Sequence, residues 1–131
     1  MNSIQALDIE TGKVVWSIPL GEIAAPNVDR SQDRFKWDYE NERSRRLAAT
    51  NEVVIAQGSQ GITALDANTG RRLWQTRGLS AYGDADPLIL QRVVLMSSVK
   101  HCSVFALDLK TGKEVWRAQI PSCTYYILAE N

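Results

Sequence analysis

Short apolar runs, each closed by a polar pair or a turn, recur along the 131-residue chain. Leu47-Ala48-Ala49-Thr50 and Val53-Val54-Ile55-Ala56 flank Asn51-Glu52, and Leu88-Ile89-Leu90 and Val93-Val94-Leu95-Met96 flank Gln91-Arg92. Runs this short, rich in Val, Ile and Leu and bounded by polar turns, predict strands joined as hairpins. Their apolar positions are continuous rather than alternating, which predicts strands covered on both faces. A second strand pair is expected after each hairpin, at 59–65 with 71–76 and at 103–107 with 113–118. No run nears the roughly 18 apolar residues of a membrane-spanning helix.

Comparing the chain with itself shows why these pairs recur. Residues 6–16 read Ala6-Leu7-Asp8-Ile9-Glu10-Thr11-Gly12-Lys13-Val14-Val15-Trp16. Residues 64–74 read Ala64-Leu65-Asp66-Ala67-Asn68-Thr69-Gly70-Arg71-Arg72-Leu73-Trp74, and residues 106–116 read Ala106-Leu107-Asp108-Leu109-Lys110-Thr111-Gly112-Lys113-Glu114-Val115-Trp116. Six positions are identical in all three copies, and the residue before Trp is always Val or Leu. Asp66 follows Asp8 by 58 positions and Asp108 follows Asp66 by 42. A period near 42 suits a four-stranded propeller blade, and the longer first interval implies an insertion of about 16 residues. The expected fold is all-β: a partial β-propeller of four-stranded antiparallel blades, about two full blades plus part of a third. The expected division is a partial blade at 1–26, an insertion at 27–46, blades at 47–79 and 80–121, and the start of a further strand at 122–131.

Asp8, Asp66 and Asp108 have the residue type of a catalytic acid or metal ligand, but a catalytic residue is needed once and these stand in identical contexts. They are expected to form turns with Thr11, Thr69 and Thr111. The carboxylate accepts backbone N–H groups two or three residues on, and the threonine hydroxyl does the same more weakly. Gly12, Gly70 and Gly112 then supply a positive φ without a steric penalty. Trp16, Trp74 and Trp116 are expected in the core; replacing a fully buried one by alanine costs about 3–5 kcal/mol.

These eleven-residue segments resemble the tryptophan-docking motif of the pyrroloquinoline-quinone (PQQ) type, quinoprotein-like propeller repeats of bacterial proteins. The resemblance implies that Trp16, Trp74 and Trp116 pack between blades, with Ala6, Ala64 and Ala106 as their close-packed seats. The family includes quinoprotein alcohol and sugar dehydrogenases, usually eight-bladed. It also includes non-catalytic propellers such as the lipoprotein of the outer-membrane β-barrel assembly machinery. Two blades and part of a third do not close a ring of six to eight. The remaining blades of a longer chain, or copies of this one, are therefore expected as partners, the longer chain being favoured by a start inside a blade. The resemblance also implies a periplasmic or cell-envelope setting, although Met1-Asn2-Ser3-Ile4-Gln5 lacks the look of a signal peptide.

Composition narrows function only by exclusion. Fifteen Lys plus Arg balance fifteen Asp plus Glu, so no global field favours nucleic acid or an anionic membrane. The most individual stretch is 27–46, where Phe35, Trp37 and Tyr39 alternate with Lys36 and Asp38. With Arg43, Arg45 and Arg46 these aromatics are the candidate contact for a protein partner; the alternative is a solvated loop whose aromatics cover the blade rim. The arginine cluster is too short and too balanced by acids for nucleic-acid binding. His101 beside Cys102 has no second histidine to complete a metal site. The thiol is expected as a small core hydrophobe, and a Cys102–Cys123 bridge only in an oxidising compartment. No zinc spacing, phosphate loop or nucleophile elbow is present. The calcium-binding carboxylate, asparagine and base aspartate of a quinoprotein site find no assignable positions, and the adjacent-cysteine ring of some quinoprotein dehydrogenases is missing. The expectation is thus a non-catalytic scaffold or protein-binding surface with no cofactor. The alternative is a fragment of a PQQ- and Ca²⁺-dependent alcohol or sugar dehydrogenase.

Overall fold

The computed structural model describes residues 3–19, 46–58, 61–77, 86–98 and 102–121. Strands β1 (Ser3–Leu7) and β2 (Val14–Pro19) form an antiparallel pair. A four-stranded sheet follows in chain order: β3 (Arg46–Ala49), β4 (Val53–Gly58), β5 (Gly61–Asp66) and β6 (Arg72–Arg77). Strands β7 (Leu88–Leu90), β8 (Val93–Ser98), β9 (Ser103–Asp108) and β10 (Glu114–Gln119) repeat that meander. All neighbouring strands are antiparallel. The fold among the described residues is thus all-β.

Register decides which side chains meet. Ile55 lies opposite Ala64 and Val53 opposite Asp66, while Val94 lies opposite Leu107 and Met96 opposite Phe105. Strand alternation therefore gives each sheet one face bearing these residues. The two faces meet in a single buried cluster of Val53, Ile55, Ile62, Ala64, Val94, Met96, Phe105 and Leu107. Trp74, Ile89 and Leu109 pack against it. Burial on the opposite faces, at Leu65 and Ala56 or Ala106 and Val104, accounts for the continuous apolar runs of the inner strands. The first strands depart from that expectation. β3 alternates half-buried and exposed positions, and Leu47 and Leu88 are exposed. Both belong to the edge strand of their sheet, where one face is left open.

The third and fourth strands of each sheet, and the β1–β2 pair, share one irregularity. Ala6 lies opposite Trp16 but Leu7 opposite Val14; Ala64 opposite Trp74 but Leu65 opposite Arg72; Ala106 opposite Trp116 but Leu107 opposite Glu114. One extra residue, Val15, Leu73 or Val115, therefore bulges immediately before each tryptophan. A bulge bends its strand and re-aims the next side chain, and all three bulged side chains are exposed.

Candidate docking site

Each motif closes its hairpin by the same bonds. The Asp8 N–H donates to the Lys13 carbonyl and the Gly12 N–H to the Asp8 carbonyl, both at 2.8 Å, and the pattern repeats at Asp66 and Asp108. Asp8 Oδ1 accepts the Glu10 N–H (3.1 Å), the Thr11 N–H (2.7 Å) and the Thr11 hydroxyl (2.7 Å). Asp66 Oδ1 takes the same three bonds from Asn68 and Thr69, and Asp108 Oδ1 from Lys110 and Thr111. The threonine Oγ1 in turn accepts the N–H of Lys13, Arg71 or Lys113.

These bonds hold the three carboxyls below the ordinary aspartate range. At Asp8 and Asp108 the threonine hydroxyl contributes most, followed by the threonine N–H; at Asp66 the Thr69 N–H leads. A carboxylate with one oxygen triply hydrogen-bonded and its pKa lowered anchors a turn and is ionised at neutral pH. Gly12, Gly70 and Gly112 follow in the left-handed region, with φ of 69°, 73° and 71°.

Beyond the turns, the motif residues connect one sheet to the next. The Trp16 indole N–H donates to the Ala67 carbonyl, and the Trp74 indole N–H to the Leu109 carbonyl, each at 2.8 Å. The acceptor is in both cases the residue directly after the motif aspartate of the following turn. That turn is braced from within its own sheet, because the Ala67 N–H donates to the Glu52 carbonyl (2.9 Å) and the Leu109 N–H to the Arg92 carbonyl (2.8 Å). The Trp16 ring stands over Gly70 so closely that a Cβ there would lie 2.8 Å from its Cδ2 and Cε3 and 3.1 Å from Ile18 Cδ1. The Trp74 ring crowds Gly112 even more. Glycine therefore serves twice, by its positive φ and by its missing side chain.

The three tryptophans are not equivalent. Trp16 and Trp74 are half-buried, each lying against the turn of the following sheet. Trp116 is 43% exposed, which corrects the expectation of a core residue: no further turn lies against it among the described residues. Ala64 and Ala106 are completely buried, Ala6 only half. Each alanine is the cross-strand partner of its own tryptophan, while the Trp16 and Trp74 rings rest on Gly70 and Gly112 of the next motif.

Of the candidate partner contacts, Phe35, Trp37, Tyr39, Arg43 and Arg45 lie outside the described residues, as does His101. Arg46 opens β3 and pairs with Asp86 at 2.8 Å, so its guanidinium ties β3 to the segment that leads into β7. Cys102 is disulfide-bonded, which corrects the expectation of a free core thiol; the chain's other cysteine, Cys123, is outside the described residues. The bulges and the carbonyl acceptors Ala67 and Leu109 had no place in the sequence reading. Their signals were the constant Val or Leu before Trp and the constant apolar residue after Asp.

Successive antiparallel sheets joined by a tryptophan-to-turn contact define a β-propeller segment, as do the structures it resembles. The chain belongs to the PQQ-like repeat family described as outer membrane protein assembly factor BamB, whose model matches residues 1–125. It is similar to the quinoprotein ethanol dehydrogenase of Pseudomonas aeruginosa, 26% identical over 123 residues, covering 78% of this chain and 18% of that protein. It is also similar to the 1-butanol dehydrogenase (quinone) of Thauera butanivorans, 28% identical over 120 residues, covering 76% and 18% respectively. Among solved structures, BamB from Moraxella catarrhalis superposes with a TM-score of 0.62 at 27% identity, covering 89% of this chain and 30% of that one. A europium-containing methanol dehydrogenase gives 0.57 at 25% identity, covering 88% and 21%. The chain thus spans less than a third of the length of each of these relatives.

Proposed function

We propose that these blades belong to a propeller that acts as a scaffold and presents a surface to protein partners. The observation that carries this reading is the use made of the motif's polar groups. Every motif aspartate has one carboxylate oxygen triply engaged by its own turn, and two of the three motif indoles donate to a neighbouring sheet. The chemically capable residues thus build blades. The likeness to BamB supports the same reading, because the family is that of an outer membrane protein assembly factor. The Cys102 disulfide suits an oxidising compartment such as a periplasm.

A second reading has its own support: both curated relatives are quinone-linked alcohol dehydrogenases. Under it, blades elsewhere in a longer chain would contribute to a site for PQQ and Ca²⁺. Equilibrium titration with PQQ and Ca²⁺, followed by dye reduction with alcohols and sugars, separates the two when run on the full product of the gene. The scaffold reading expects no saturable cofactor binding and no turnover. Saturable binding with turnover would replace it by the dehydrogenase reading.

A further inference from the structure

The β9–β10 hairpin carries a feature that the other two motif hairpins lack. Cys102 directly precedes β9, and its carbonyl accepts the Ile120 N–H at 2.6 Å, one residue beyond the end of β10. That bond adds a rung after the pair Ser103 and Gln119, which closes the strand register at this end. Cys102 is also disulfide-bonded. The chain holds one other cysteine, Cys123, a short step past Ile120. Covalent bridge and hydrogen bond therefore act on the same stretch of chain.

The bridge is not a requirement of the hairpin. The corresponding hairpins close at Ser3 opposite Pro19 and at Gly61 opposite Arg77. They have the same turn bonds and no cysteine near either end. Cys102 moreover stands at φ 43°, and with Gln91 it makes up the non-glycine residues found in the left-handed region among the described residues. The end of a hairpin loop suits glycine at such a φ, yet a half-buried cysteine occupies it. A side chain there persists while its surroundings over-determine it. Accessible disulfides at strained positions are the ones that exchange.

We infer that the Cys102–Cys123 bridge is a reversible redox clasp that fastens the end of β10, and the chain leaving it, to the start of β9. Closed, it makes a covalent ring around the whole third motif, Ala106 to Trp116. Opening takes a dithiol as reductant. One of its thiolates attacks the bridge, a mixed disulfide forms, and its second thiol resolves it. One S–S bond breaks in this chain and one forms in the reductant, while two electrons and two protons end on the Cys102 and Cys123 sulfurs. Cys102 is then free to leave the left-handed region, which turns its carbonyl away from Ile120 and releases the last rung. The sheet β3–β6 keeps its form, because its own hairpin closes without a bridge. The clasp is independent of whether the propeller is catalytic.

Amide and indole NMR spectra of the full 131-residue chain, oxidised and after treatment with a small dithiol, test this beside a Cys102→Ser, Cys123→Ser double variant. Iodoacetamide labelling fixes the state first: neither cysteine should react before reduction, and both should react after it. On reduction the Gln119 and Ile120 amides are expected to move to the positions of an unstructured chain. Exchange of the Ile120 N–H with solvent should rise about tenfold or more, while the Trp16 and Trp74 indole signals stay in place. Reoxidation should restore the first spectrum, and the double variant should show the reduced pattern with or without dithiol. Cysteines that react before reduction overturn the inference, as does a reduced chain or a double variant in which Ile120 keeps its position and protection. Loss of the Trp16 and Trp74 signals together with that of Ile120 also overturns it, because the bridge would then hold the whole fold rather than one strand end.

Discussion

Three glycines with nearly one φ but different surroundings allow docking to be weighed against backbone strain. Gly12, Gly70 and Gly112 lie at φ of 69°, 73° and 71°, so alanine at any of them meets the same left-handed penalty, about 1–2 kcal/mol. At Gly12 the new Cβ meets open space. At Gly70 it would lie 2.8 Å from Trp16 and at Gly112 within 2.7 Å of Trp74 Cδ2, distances at which ring or turn must shift. Overpacking of that kind adds about 1–3 kcal/mol. Gly12→Ala is therefore expected to cost about 1–2 kcal/mol and Gly70→Ala or Gly112→Ala about 2–5 kcal/mol. Urea unfolding of dilute protein, with midpoints compared at constant slope, reads the difference. If all three substitutions cost the same within about 0.5 kcal/mol, within the usual scatter of independent sites, the glycines answer only to turn geometry and the docking argument fails.

Other outcomes follow from the same contacts. Trp74→Phe keeps an aromatic ring but leaves the Leu109 carbonyl without its indole donor, and a loss of about 1–2 kcal/mol is expected in urea titration; no loss would mean that water serves the carbonyl equally well. Because Asp8, Asp66 and Asp108 have lowered pKa values, their contribution is complete above the ordinary aspartate value and disappears as pH falls through the lowered folded one. Thermal midpoints should therefore drop on acidification below about pH 4, and the triple aspartate-to-asparagine variant should show a shallower acid limb, part of what remains coming from Glu114, whose carboxyl Arg117 also holds low. Reduction of the Cys102 disulfide should lower stability by about 2–4 kcal/mol. In the untreated protein iodoacetamide should label no thiol before reduction.

The fold was legible because its information is local and repeated. Asp-x-x-Thr-Gly specifies a turn by hydrogen bonds that span no more than five residues, and the runs at Val53–Ile55 or Val93–Leu95 announce strands by burial alone. Strand bounds moved by only one or two positions, with β5 at Gly61–Asp66 against an expected 59–65 and β7 at Leu88–Leu90 as expected. What escaped was relational. The bulges at Val15, Leu73 and Val115 depend on pairing with the opposite strand, and the glycine seats depend on a ring 54 positions upstream of Gly70, at Trp16, or 38 upstream of Gly112, at Trp74. Arg46 was read as a partner contact because nothing within the cluster reveals Asp86, 40 positions away. Trp116 was read as core because its motif matches the others, while burial depends on the sheet that follows.

The central claim is that each motif tryptophan and the glycine of the next motif act as one unit. A double-mutant cycle on Trp74 and Gly112 measures this directly, from urea midpoints of Trp74→Ala, Gly112→Ala and the double variant. With the ring gone, alanine at position 112 has room, so its cost should fall to the left-handed strain of about 1–2 kcal/mol, a coupling of about 1–3 kcal/mol. A Gly112→Ala cost that is the same with Trp74 present or removed would contradict the account.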